Sequence, residues 1–260
     1  MIDWLYSLPE PVVLALSTAT LVALMVFLPY LIRRLPRMAP SDANSDFALR
    51  IQTTLFTMTS LVLTFTLVQA DINYRQVDSL LSTEASRIEQ FDRLLTRYGT
   101  LATAHVRPLL RAYAQSIVND EWPAMLRGAD NEATGRTFAP ISRRVLAIGP
   151  ATTRESLIFA EMLKSLDTIA ESRAARLNTL SIGLPAIYWQ VVLFAVAMLL
   201  FVSCTVERTP FRTVVLSTQA AVLGAFIGFV FLMDQPYRGQ TAIAPDALVQ
   251  VMARMERRTE

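Results

Sequence analysis

A single cysteine, Cys204, a single histidine, His105, and a single lysine, Lys164, are all the chain holds of those three residue types. One cysteine excludes an intrachain disulfide, and Cys204 reads as a small apolar filler. One histidine excludes a histidine metal cluster, because a site needs three or four ligands. With one of each, nucleophile–base pairs other than carboxylate chemistry are nearly excluded. There is no HExxH, no cysteine cluster, no Gly-rich phosphate loop and no GxSxG. No catalytic residue, cofactor or metal is therefore expected, and the chain does not read as an enzyme. A formal net charge of +2 provides no large basic patch for nucleic acid.

What is abundant is apolar surface. Of the 260 residues 53% are hydrophobic, and the mean hydropathy is +0.38, too apolar for an ordinary soluble domain. The excess falls in four blocks, about Pro11–Ile32, Leu49–Val68, Leu184–Val206 and Val214–Met233. Each is near the ~20 residues that a bilayer-spanning helix needs. The first block is expected to stay in the protein rather than be cleaved as a signal peptide. It lacks a basic start and is followed by Arg33, Arg34 and Arg37 instead of a small-residue cleavage site.

The second block does not stop at the membrane. Without proline or glycine it runs on as an amphipathic helix to about Tyr98, with an apolar seam of Tyr74, Val77, Leu81, Ile88, Phe91, Leu95 and Tyr98. Such a rod is roughly 75 Å long at ~1.5 Å per residue. One seam position is an acid, Glu84, which either sets register or pairs with Arg87 or an arginine of another helix. His105 falls on the same seam if the helix continues through Ala102.

The polar middle reads as helical. Pro108 is expected to open a second helix carrying Leu109, Leu110, Tyr113, Ile117 and Trp122. Gly128 to Gly135 reads as a loop. Asp120, Glu121, Trp122 and Pro123 form a short acidic-aromatic turn, with Trp122 packed on the rod. A third long helix runs from Arg154 to about Leu180, with Thr153 as its N-cap and Leu157, Ile158, Met162, Leu166 and Ile169 at helical spacing. A kink or restart at Pro185 leads into the third span. After the fourth span Asp234, Pro236, Tyr237 and Gly239 read as a turn at the interface. The tail from Pro245 has Leu248, Val251, Met252 and Met255 on one face, to dock on the middle domain or lie on the membrane.

The predicted architecture is an all-α integral membrane protein of four spans, with long helices from spans two and three extending into a helical extramembrane domain. The expected divisions are 1–70 (spans one and two), 71–183 (extramembrane domain), 184–234 (spans three and four) and 235–260 (tail). Counting arginines in short loops, Arg33, Arg34, Arg37, Arg50, Arg208 and Arg212 stand against Arg238, Arg254, Arg257 and Arg258. That leans toward both termini and the middle domain outside.

The second span is rich in hydroxyls. Thr53, Thr57, Ser60 and Thr64 advance by four, three and four and so share one face. An uncharged, weakly polar stripe suits a pore lining, and Phe56, Leu63 and Leu67 beside it suit a hydrophobic constriction. The same residues suit helix packing, with hydroxyls bonded back to i−4 carbonyls. No charge lies inside this span, which argues against a proton-coupled pump.

Four strings together resemble the bestrophin-like domain family of bacterial membrane proteins. They are Glu84-Ala85 on the extended second span, Asp120-Glu121-Trp122-Pro123, Arg173 to Leu177 ahead of Leu184-Pro185-x-x-Tyr188-Trp189, and Asp234-x-Pro236-Tyr237-x-Gly239. The resemblance covers about Leu21 to Met252 and implies four spans with a helical domain between spans two and three. Its distant link to bestrophins, pentameric ion channels whose second span lines the pore, implies a homo-oligomer conducting small ions. It would place Thr53, Phe56, Thr57, Ser60, Leu63 and Thr64 near the axis, with Glu84 in a vestibule or an intersubunit seam. The chain lacks the acidic run of the animal calcium clasp and the aromatic cluster of the neck. The resemblance also implies a large domain in the cytosol, against the arginine count, so the side stays open. The expected location is the bacterial inner membrane, with lipids and a second copy of the chain as partners. The alternative is a membrane-anchored interaction or signal-relay module without conductance.

Overall fold

The computed structural model describes residues 3–32 and 42–258, so Arg33, Arg34 and Arg37 lie outside the described residues. The described residues form helices and no strand. In order they are α1 (Asp3–Tyr6), α2 (Glu10–Ile32), α3 (Asp42–Tyr98), α4 (Thr100–Thr103), α5 (Arg107–Ser116), a π-helical turn (Ile117–Glu121), α6 (Trp122–Met125), α7 (Glu132–Leu146), α8 (Thr153–Asn178), a 3₁₀ turn (Thr179–Ser181), α9 (Ala186–Cys204), α10 (Pro210–Asp234) and α11 (Asp246–Arg257). Among the described residues four stretches are long and apolar enough to cross a membrane: α2, α3, the run from α8 through the break at Pro185 to α9, and α10. In α3 and in the α8–α9 stretch the apolar window fills only part of the length.

The chain divides into two compact units. The membrane unit comprises 1–74, 183–235 and 239–241; the extramembrane unit comprises 75–182, 236–238 and 242–260. Helix α3 supplies residues to both.

In the membrane unit, Leu21, Met25, Leu63, Val192, Leu199, Leu216 and Leu223 form one buried cluster from four helices. Helix α10 meets α2 through Gly224 and Gly228. A Cβ on Gly224 would lie 2.7 Å from the Thr18 Cα and 2.9 Å from the Ser17 carbonyl oxygen, and one on Gly228 would collide with the Ser17 Oγ. The two glycines are a small-xxx-small pair that lets backbones touch, the packing lipid favours because it offers no hydrophobic drive between helices. Span three restarts at Pro185, which is the N-cap position of α9. Asp234 closes α10 rather than sitting in a turn. Its carboxylate accepts the Leu184 backbone N–H at 2.6 Å and the Trp189 indole N–H at 3.3 Å, which holds the entry of α9 against the exit of α10. The turn itself follows, with Gly239 at φ 82°, in the left-handed region.

In the extramembrane unit the α3 seam is buried as its spacing predicts: Val77, Leu81, Ile88, Phe91 and Leu95 are all 1% exposed or less. Four expectations are corrected here. Helix α3 ends at Gly99, whose φ of 138° takes it out of the helix. His105 therefore leaves the seam for an exposed turn between α4 and α5. The loop proposed for Gly128 to Gly135 is shorter, because Asn131 caps α7 at residue 132 by accepting the Ala133 N–H at 2.9 Å. The cap of α8 is Thr152, one residue before Thr153, in a capping box with Glu155. Leu157, on the second turn of α8, is 67% exposed instead of joining Met162, Leu166 and Ile169 in the core. Pro108 does sit in the first turn of α5. The tail helix α11 docks within this unit, burying Leu248, Val251 and Met255.

Candidate functional site

Each unit contains one constellation of interest. In the membrane unit it is the hydroxyl face of α3. Thr53, Thr57 and Thr64 are exposed on the subunit surface, Ser60 is half-buried, and Thr59 and Thr66 are buried. The hydroxyls thus divide by face. Thr59 and Thr66 belong to packing within the subunit; Thr53, Thr57 and Thr64 are exposed among the described residues. Each of these three donates its hydroxyl to the carbonyl four residues back: Thr53 to Leu49 at 3.0 Å, Thr57 to Thr53 at 3.0 Å, and Thr64 to Ser60 at 2.9 Å. The hydrogen is spent on the backbone, so the oxygen lone pairs are what the face offers outward. Phe56 is half-buried against the subunit's core, and Leu63, 1% exposed, belongs to that core. Leu63 does not share the exposed face.

In the extramembrane unit the Glu84 of the α3 seam meets an arginine of another helix. Arg176 of α8 is fully buried, and its guanidinium lies between two carboxylates. Its Nε and Nη2 donate to the two oxygens of Glu84, the second at 3.2 Å, and Nη2 also donates to Glu121 Oε2 at 2.5 Å. Glu121 in turn accepts from Arg173, Nε to Oε1 at 3.1 Å, with a second, short bond from Nη2. Arg173 Nη2 further donates to the Asn131 carbonyl at 3.3 Å. Two carboxylates and two guanidinium groups balance, and all four are bonded. Arg87, the local alternative for Glu84, instead donates to Gln90 at 3.5 Å.

The acidic-aromatic string is not a turn. Residues 117–121 form a π-helical turn, and the extra residue rotates Glu121 inward to 0% exposure. Trp122 follows, 4% exposed, edge-on to Tyr237 at 5.8 Å. The Tyr237 hydroxyl shares a 2.6 Å hydrogen bond with Thr179 Oγ1, and burial pushes the Tyr237 phenol above its ordinary value. Pro236 is buried, and its carbonyl accepts the Ile243 N–H at 3.0 Å. Tyr113 packs beside the network. Burial first, and the Glu84 charge after it, push its phenol well up, so it stays neutral.

Sequence reasoning missed Arg173 and Arg176 as partners, although a signal was present. Met162, Leu166, Ile169, Arg173 and Arg176 advance by four, three, four and three. Arg176 is thus the off-type residue on the α8 seam, as Glu84 is on α3. Two opposite charges on two apolar seams are best explained by each other. Both carboxylates are held by guanidinium N–H groups and the charges balance, so the network acts as a fastening between the helices. Among the described residues no group of three metal-ligating side chains is placed to hold an ion.

Fold and sites together define a polytopic, all-helical membrane protein with a large helical unit fastened by buried ion pairs. Within that class the chain belongs to the Bestrophin-like domain family, whose model matches residues 19–248. Two solved structures share its fold, both single-substitution variants of a bacterial bestrophin homologue from Klebsiella pneumoniae. One matches with a TM-score of 0.69 at 13% identity, covering 96% of this chain and 98% of that one. The other has a TM-score of 0.63 at 14% identity, covering 95% and 98%. No curated protein matches the sequence.

Proposed function

We propose that the protein is a subunit of a passive small-ion channel of the bacterial inner membrane, a homo-oligomer with span two around the pore. The observation that carries this reading is the exposed face of Thr53, Thr57 and Thr64 within a helix that has no ionisable side chain between Arg50 and Asp71. In lipid the outward lone pairs of these back-bonded hydroxyls gain from an aqueous neighbour. Several copies around an axis give each stripe water, and back-bonded hydroxyls lining a pore present acceptors without fixed charge. Ser60 and the edge of Phe56 complete the proposed lining, while Leu63 packs inside its own subunit and is left out of it. The absence of a charge in the span fits passive flow rather than proton coupling. Membership of the Bestrophin-like family and the fold shared with a bacterial bestrophin homologue support the reading.

Reconstituted in liposomes, the protein should conduct above empty vesicles, and native mass spectrometry should count a ring of at least four subunits. Thr57→Val should change the conductance, whereas Thr59→Val, on the packed face of the same helix, should leave it unaltered. A monomer or dimer, or liposomes silent across salts and voltages, would remove the channel and leave the signal-relay module.

A further inference from the structure

Within the extramembrane unit a cleft of about 420 Å³ opens beside the first turn of α5 and the last turn of α11. It is lined by Arg107 and Arg111 of α5 and by Arg258, which follows α11, with apolar wall from Pro108 and Met255. The acid among the lining residues, Asp92, is 0% exposed and has both oxygens occupied. Arg107 Nε donates to one at 3.0 Å and Arg258 Nη1 to the other at 3.2 Å. The other acids near these arginines stand outside the lining: Glu89 accepts from Arg258 Nη2 at 2.5 Å and also faces Arg93 and Arg254, and Glu256 pairs with Arg111. Arg107 engages Asp92 through Nε alone. Its two terminal nitrogens, a parallel donor fork suited to an oxyanion, have no acceptor among the described residues. The side chains of Arg111 and Arg258 are 39% and 31% exposed.

The polar side chains a ligand would meet in this cleft are therefore donors. Helix α5 adds to them. It begins with Arg107 and has no acid in its first turn, the reverse of what a helix N-terminus favours, and the deficit is one that an anion supplies.

We propose that this cleft binds a small phosphoryl-type oxyanion, held by the Arg107 fork and by Arg111 and Arg258. The site is independent of the channel reading. Because Arg258 follows the tail helix and the other two arginines belong to α5, the bound anion also fixes the tail on its unit.

The test uses the full chain, purified in lipid-free detergent. It is titrated with pyrophosphate and, separately, with a short-chain phosphatidic acid, at ionic strength held constant with sodium chloride. Saturable binding of pyrophosphate identifies a free anion; binding of the lipid alone identifies a headgroup held by the same chemistry. Arg111→Gln, which touches only a solvent-exposed pair, should weaken binding about tenfold. Arg107→Lys, which keeps the charge beside Asp92 but removes the fork, should weaken it several-fold. Hydrogen exchange across 246–257 should slow when the site is filled. The proposal is overturned if neither ligand saturates, or if Arg143→Gln, an exposed arginine of α7 away from the cleft, weakens binding as much as Arg111→Gln does.

Discussion

The membrane unit and the extramembrane unit use apolar helix seams in different ways. Helices α2 and α10 meet where side chains are missing, at Gly224 and Gly228 against Ser17 and Thr18. The extramembrane helices are locked where side chains are largest and charged, at Glu84, Glu121, Arg173 and Arg176. The solvent explains the contrast. Lipid is as apolar as leucine, so only closer contact rewards helices for meeting there. In water, burial of Val77, Leu81, Ile88 and Phe91 already drives association, and a charged seam residue is tolerated if it is matched. Matching then selects one register, because sliding α3 against α8 by a turn would strand Glu84 and Arg176 in an apolar core.

The sharpest way to break this contrast is to remove the central guanidinium. Arg176→Ala leaves the Glu84 carboxylate buried without a counter-charge, and a loss of about 3–5 kcal/mol is expected, read as a fall in the unfolding midpoint of the extramembrane helices in detergent. Replacing both partners, Glu84→Leu with Arg176→Leu, should recover most of that loss, because Glu121 keeps Arg173. If the double variant is as unstable as the single one, the network does more than match charges across two seams.

The membrane side is probed by adding volume instead of removing charge. Gly224→Val sets a branched side chain against the Thr18 backbone and should cost about 1–3 kcal/mol, the range for overpacking. Gly149→Val, in a loop of the other unit where an added Cβ meets nothing within 4 Å, is the control for the substitution itself and should be nearly neutral. Equal effects at the two glycines would mean that α2 and α10 do not depend on close approach.

The same contrast explains what the sequence disclosed. Long apolar windows and the three-four spacing of α3 are local patterns, so four spans, the α3 extension and the burial of its seam were legible. Pro108 at the start of α5 and the docking face of α11 were legible for the same reason. Glu84 stood out as an anomaly, but its partner lies 92 residues away, and pairing at that distance is decided by tertiary contact. The π-helical turn was hidden because one additional residue in a helix leaves no compositional trace, so Glu121 and Trp122 read as a turn. Gly224 and Gly228 carried a recognisable small-xxx-small spacing that an apolar reading of span four passed over. Leu63 shows the limit of a face argument. It neighbours the hydroxyl stripe in sequence, yet a rotation of about 100° per residue takes it to the packed side.

The smallest expected effect lies at the edge of the extramembrane unit, where charge pairs are partly open to water. The hydrogen bond from Arg258 holds the Glu89 carboxyl below its ordinary value; partial burial opposes this, and the Arg254 and Arg93 charges add to it. A carboxyl whose folded pKa is lowered contributes stability above its unfolded pKa. That contribution fades as the pH falls through the folded one. Docking of α11 should therefore be complete at neutral pH and loosen only in acid, below the ordinary glutamate range. The contribution is about 1 kcal/mol or less, as for other partly exposed pairs. Protease cleavage within 246–257 should rise as the pH is lowered, and Glu89→Gln should give at neutral pH the cleavage rate that the parent chain reaches in acid. Apolar burial of Leu248, Val251 and Met255 does not titrate, so the helix should loosen rather than detach. If Glu89→Gln leaves the acid response unaltered, the Glu89–Arg258 pair does not govern the docking of α11.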